Sequence, residues 1–400
     1  MNDHRRLGRE LGLYHLDPLV GAGLPIWLPD GAAARHAVEE YVREQERRAG
    51  YRHVHSPPLA HRELFERSGH LPHFGDDMFP AFGDDDLVLR PSLCPHHALV
   101  YAARGRSHRD LPLRIAEIGP MYRAERSGVV GGLARVRAIS LNDAHIFCAP
   151  DQAAAVAADV LRLMQQVHRA LGVRLARFRL SLRESGGGGK YVDDPELWQR
   201  AEAMLRKALA AAGLPYDEAP GEAAFYGPKI DAQIVDSAGR EWSIATVQID
   251  LHQPARFALS YVDARGRKQQ PVMVHRSLVG SLERLFAHLI EVHDGAFPIW
   301  YAPVQVVALP VGGDQVDAAS AFVAAAVAAG LRAELEPDGS LGARIRACAQ
   351  RRVPYAAVLG ARESARGEVS LRRRDGRALD AMPAADAVRL LVAEAAPPSG

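Results

Sequence analysis

Apolar positions along the chain recur at two spacings, and where the spacing changes the expected secondary structure changes with it. Val38, Tyr41 and Val42 fall on one face of a helix predicted over 32–48, with Gly50 just past its end. Asp151 is the expected N-cap of a second helix, in which Val156, Val160, Leu163, Val167 and Leu171 recur before Gly172 stops it. A third opens at Asp194-Pro195-Glu196 and turns Leu197, Ala201, Leu205 and Leu209 inward. Alternation takes over at 173–183, where Leu175, Phe178, Leu180 and Leu182 are apolar, and again at 230–235 and 241–250. Successive strands with few helices between them predict an α+β class: an antiparallel sheet with flanking helices, not a doubly wound one.

The pattern changes after Pro298. Strands are expected at 304–311, 331–335, 355–359 and 368–373, and helices at 314–329, 340–351 and 384–395. That is a small α/β unit of about one hundred residues, a normal size for a separate domain. The predicted division is therefore 1–298 and 299–400. Gly186 to Gly189 match no phosphate-binding fingerprint in their spacing and read as a loop ahead of the Asp194 helix.

Composition narrows the classes. The 400 residues are 48% hydrophobic and 24% charged, as in ordinary globular proteins. A net charge of +1 offers no global field for a polyanion, so any RNA contact has to come from local patches. Three are visible: Arg104, Arg106 and Arg109; Arg344, Arg346, Arg351 and Arg352; and Arg372, Arg373, Arg374 and Arg377. Each taken alone reads as a solvated face. Three cysteines make no disulfide framework, and no apolar run is long enough for a signal peptide or a membrane span. The expectation is a cytoplasmic protein with no membrane partner.

The candidate chemistry is scattered. Cys94 lies in Pro91-Ser92-Leu93-Cys94-Pro95-His96-His97, where both a local metal site and a buried thiol are open readings; His145 alone reads as a core histidine. Other notable runs are Tyr122-Arg123-Ala124-Glu125-Arg126, Asn142-Asp143-Ala144-His145, Phe225-Tyr226-Gly227-Pro228-Lys229, Thr246-Val247-Gln248-Ile249-Asp250, Val274-His275-Arg276 and Gly280-Ser281-Leu282-Glu283-Arg284. Together these resemble motifs two and three of the threonyl-tRNA synthetases, and Pro57 resembles the motif one proline of the class II dimer interface. The likeness runs from Asp3 to the tail at Arg351-Arg352-Val353-Pro354-Tyr355.

The resemblance implies a class II synthetase core followed by an anticodon-binding domain with a mixed sheet. It implies threonine activation with ATP and Mg²⁺, transfer to tRNA, and a homodimer. Cys94, His145 and His275 become Zn²⁺ ligands. One thiolate and two imidazoles suit that ion and leave a position for substrate. An apolar pocket separates valine from threonine by only about 100-fold. A metal that takes the amino and hydroxyl groups together rejects valine for want of a second ligand atom.

Arg123 and Arg284 fall on the catalytic arginines, which also bind ATP with Glu125, Arg135, Ile139 and Gln248. Asp143, Tyr226, Lys229 and Gln248 fall on amino-acid-binding positions, and Glu363 and Arg372 on anticodon-binding ones. The chain starts at the family's catalytic core, so the N-terminal editing module is expected to be absent.

Several positions depart from the family pattern. Ile139 stands where an aromatic residue stacks on adenine, a loss of about 0.5–1.5 kcal/mol. Leu141 and Ser243 replace glutamines, Ser92-Leu93 replaces Met-Asn, and Ser340 replaces a lysine of the anticodon site. These changes favour a second reading, a biosynthetic relative that makes an aminoacyl adenylate for a carrier protein or natural-product pathway, with a non-threonine substrate such as another β-hydroxy or a diamino acid. A third, a noncatalytic RNA-binding protein, has no use for Arg123, Arg284 and the metal set.

Overall fold

The computed structural model describes residues 3–184 and 190–398; the Gly186–Gly189 run lies outside them. Helix α1 (Pro29–Arg48), strand β1 (Arg52–His53) and helix α2 (Cys94–Ala102) precede two long strands, β2 (Leu113–Tyr122) and β3 (Ala138–Cys148). Then come α3 (Ala153–Leu171), β4 (Arg177–Leu182), α4 (Pro195–Ala212), β5 (Tyr216–Pro220), β6 (Lys229–Val235), β7 (Glu241–Asp250), β8 (Val272–Ser277) and α5 (Leu282–Val292). The strands form one eight-stranded sheet in the order β1-β2-β3-β8-β7-β6-β4-β5. Every pairing from β2 through β4 is antiparallel; only the edge strands β1 and β5 join in parallel.

Strand alternation gives this sheet two different faces. Ile230, Val247, Ile249 and Val274 pack with Val160, Leu161, Leu205 and Leu209 of α3 and α4, each burial contributing roughly 2 kcal/mol. The residues between them turn the other way. Asp194 caps α4 as expected, its Oδ1 accepting from the Leu197 N–H at 3.0 Å. Asp151 does not cap α3. Gln152 holds the N-cap position, and its side chain accepts from the Ala149 N–H at 2.9 Å, which closes the entering turn and leaves Asp151 outside.

Beyond Phe297 the chain builds a second sheet from β9 (Val306–Pro310), β10 (Ala333–Leu335), β11 (Tyr355–Leu359), β12 (Glu368–Arg373) and β13 (Met382–Pro383). The order is β10-β9-β11-β12-β13, parallel around β9 and antiparallel after β11. Helices α6 (Val316–Ala328), α7 (Leu341–Gln350), α8 (Ala361–Arg366) and α9 (Ala384–Glu394) accompany it, and it has its own core of Val306, Phe322, Leu359, Leu371 and Leu391.

Most arginines of the basic patches serve structure. Arg344 is buried, Arg373 pairs with Glu394, Arg352 pairs with Asp294 at 3.1 Å, and Arg374 donates to the Phe297 carbonyl at 2.7 Å. Arg346 and Arg372 make no side-chain hydrogen bond or ion pair among the described residues. No helix among them is long and apolar enough to cross a membrane.

Candidate active site

The face of the large sheet turned away from α3 and α4 carries the chemistry, and strand register assembles it. Lys229 of β6 pairs with Gln248 of β7, Gln248 with His275 of β8, and His275 with His145 of β3. Four candidate residues thus form one row across four strands. The next row, two residues along each strand, holds Asp231, Thr246 and Ser277. Along β3, Ile139, Leu141 and Asp143 share the side of His145. Above these rows lies a cleft of about 420 Å³ whose walls include Ser92, Arg123, Tyr226 and Arg284.

His275 lines the cleft, and beneath it the Cys94 Sγ and one ring nitrogen each of His145 and His275 all lie within 4.8 Å of one another. Hydrogen bonding fixes which nitrogens face inward. His275 Nε2 is 2.8 Å from Asp250 Oδ2, and His145 Nδ1 is 2.7 Å from His97 Nδ1, whose Nε2 lies 3.2 Å from Glu117. With protons on the outer nitrogens, as these partners require, His145 Nε2 and His275 Nδ1 present lone pairs to each other at 2.9 Å. Two lone pairs that close need a cation between them, either a proton or a metal ion.

The charges agree. Burial pushes the Cys94 thiol up, but His70 and His275 beside it bring it down to about 5. Burial opposes the His275 charge too, yet Asp250 and Cys94 raise it to about 10. Burial first, then the Cys94 charge, lifts Asp143 to about 7. One soft thiolate, two imidazoles and outer carboxylates on both imidazole chains make a donor set that fits Zn²⁺.

A second cluster, Asp3, His4 and Glu291, does not fit. His4 Nδ1 bonds Glu291 at 2.7 Å and its Nε2 accepts from the Leu133 N–H at 3.3 Å, so both ring nitrogens are taken.

Cations dominate the other end of the cleft. Burial, and after it the like charges of Arg123 and Arg135, push the Arg284 guanidinium down. Arg284 lies 5.5 Å from the centre of the Trp242 ring and donates to the Ala134 carbonyl at 3.1 Å. Crowded arginines, with no ion pair to Arg123 or Arg284 among the described residues, form a ready site for a polyanion. Glu125 and Arg135 pair with each other at 2.8 Å beside the cleft. Tyr226 Oη donates to Gln248 Oε1 at 2.6 Å, and Lys229 pairs with Asp231 at 3.1 Å. Glu363 and Arg372 lie apart from this site, on α8 and β12 of the second sheet.

Residues 80–293 match the family model of the tRNA synthetase class II core domain (G, H, P, S and T), which is more than half of the chain. The chain belongs to the class II tRNA synthetase family. Residues 305–394 of this synthetase match the anticodon binding domain. The threonine–tRNA ligase of Halalkalibacterium halodurans is 45% identical over 98% of the chain, and that of Oceanobacillus iheyensis 46% over 93%. The chain spans 62% and 58% of their lengths. A crystal structure of the RNA binding domain of threonyl-tRNA synthetase from Cryptosporidium parvum superposes with a TM-score of 0.94 at 30% identity, covering 99% of both chains. A putative threonyl-tRNA synthetase of Aeropyrum pernix gives 0.84 at 29% identity, covering 98% of this chain and 94% of its own.

Sequence reasoning missed the outer residues of this synthetase cleft. Asp250 had a signal, since it follows Gln248 by two in one strand. His97 had another, one helical turn after Cys94. Glu117 and His70 had none, because only strand pairing and loop packing bring them near.

Proposed function

We propose that the chain activates threonine with ATP and transfers it to tRNA, as a homodimer acting in the cytoplasm. The observation that carries this reading is the Cys94–His145–His275 cluster beneath the cleft that Arg123 and Arg284 line. Zinc held there would supply a Lewis-acid position for the amino and β-hydroxyl groups of the substrate. Asp143, above the cluster, accepts from the hydroxyl, and Tyr226, held by Gln248, orients the amino group. The substrate carboxylate then attacks the α-phosphorus of ATP, which carries Mg²⁺ as in class II synthetases, and pyrophosphate leaves.

Arg123 and Arg284 meet the charge that builds on the phosphoryl oxygens, a preorganised contribution of about 3–4 kcal/mol for each well-placed donor. Glu125 and Arg135 frame the adenine side, Ile139 gives it an apolar wall, and Lys229 faces the amino-acid end. Glu363 and Arg372 are proposed to read the anticodon on splayed bases.

Leu141, Ser243 and Ile139 on the cleft wall support a second reading, adenylate formation on another β-hydroxy amino acid for a different acceptor. Amino-acid-dependent ATP–pyrophosphate exchange over threonine, serine, valine and longer β-hydroxy acids, followed by charging of tRNA, separates the two. Exchange with threonine, weaker exchange with serine, none with valine, and charging of tRNA support the first. Exchange without charging supports the second, and no exchange at all sinks both.

A further inference from the structure

Ser92 lies two residues before Cys94, one residue ahead of the N-cap of α2. Leu93 occupies the N-cap, no side chain caps the helix, and Ser92 Oγ lies 3.0 Å from Cys94 Sγ. It is the shortest polar contact to that sulfur. His70 Nε2 and Gln253 Nε2 are farther, each at 3.5 Å, and His275 also faces the sulfur. Cys94 is buried, with 2% of its surface exposed, while Ser92 is half-buried and forms part of the cleft wall. The hydroxyl therefore stands between the sulfur and the space an amino acid would enter.

We infer that Ser92 is a positioning residue for the metal centre, its hydroxyl donating a hydrogen bond to the Cys94 sulfur and drawing charge from it. The inference rests on the metal reading proposed above. A sulfur that accepts a hydrogen bond gives less charge to the metal it ligates, so the metal attracts its remaining ligands, the amino and hydroxyl groups of the substrate, more strongly. Sulfur lone pairs held lower in energy also move the thiolate-to-metal charge-transfer band to shorter wavelength. This fits a wall that is apolar at Ile139 and Leu141: part of the pull on the substrate passes through the metal.

Cobalt(II) loaded into the purified 400-residue chain in place of zinc reads this directly. The wild type is compared with Ser92→Ala and with the isosteric pair Ser92→Thr and Ser92→Val, which differ from each other only by a hydroxyl for a methyl. The charge-transfer band is expected to shift to longer wavelength in S92A and S92V, with cobalt affinity about 10-fold weaker. S92T is expected to keep both near the wild-type values. Should S92A fail to fold, the S92T and S92V pair carries the same comparison. Coincident bands in S92T and S92V, with a clear band in the wild type, overturn the role of Ser92 and leave the metal reading intact. A wild type with no thiolate band overturns both.

Discussion

Single residues decide the cleft by what stands behind them. Asp250 bonds His275 Nε2 at 2.8 Å and so selects the nitrogen that faces Cys94. Asp250→Asn can present an amide N–H to that ring and favour the wrong tautomer. Zinc affinity, followed by chelator competition, is expected to fall about 10- to 100-fold. The three proposed ligands stood out in the sequence only through likeness to a family, because His145 and His275 are 130 residues apart and meet by cross-strand register. Spacing along a chain does not encode register between distant strands. Asp250, by contrast, was within reach of strand alternation, and Glu117 and His70 were not.

At the scale of elements, α1 is tied to the sheet by charge as well as by packing. Glu46 is fully buried and meets Arg276 at 2.8 Å, Asn142 at 2.7 Å and His53 at 2.7 Å. Burial works against its charge, but Arg276 and the hydrogen bonds hold its carboxyl below the ordinary range. Glu46→Ala leaves Arg276 buried without its partner, and urea unfolding should show a loss of about 3–5 kcal/mol. Little change would mean that water reaches the site.

Glu291 on α5 gives a pH signature. Burial raises its carboxyl, but hydrogen bonds from His4 and Ser237 prevail and lower it below 4.5. A folded value below the unfolded one means that the stabilisation is full above about 4.5 and fades as pH falls through the folded value. Glu291→Gln should therefore cost about 1–2 kcal/mol at neutral pH and progressively less in acid, as urea melts at several pH values will show.

Periodicity located α1, α3 and α4, strands β4, β6 and β7, and seven of the elements beyond Pro298, while it did not mark β2, β3, β8 or α5. β3 and β8 are buried on both faces over 142–148 and 272–277, so no exposed polar side marks them as strands.

Over the whole molecule, arginines fasten the second sheet to the first. Arg374 donates to the Phe297 carbonyl, Arg352 pairs with Asp294, and Arg351 lies 3.8 Å from Asp30 at the start of α1. Arg374→Ala is expected to let the C-terminal unit melt separately, so that calorimetry shows two transitions in place of one. The basic patches were visible in the sequence, but their use was not: which arginines hold the fold depends on carboxylates and carbonyls brought in from elsewhere. Arg346 and Arg372 are among the patch arginines that have no such partner among the described residues.

Zinc-edge X-ray absorption on the purified chain, with and without threonine, reads the proposed metal centre itself. One zinc per chain is expected, with one sulfur and two imidazole nitrogens, and with a light-atom shell that changes when threonine binds. A chain that holds no zinc, or a zinc whose shell lacks sulfur or ignores threonine, would contradict it.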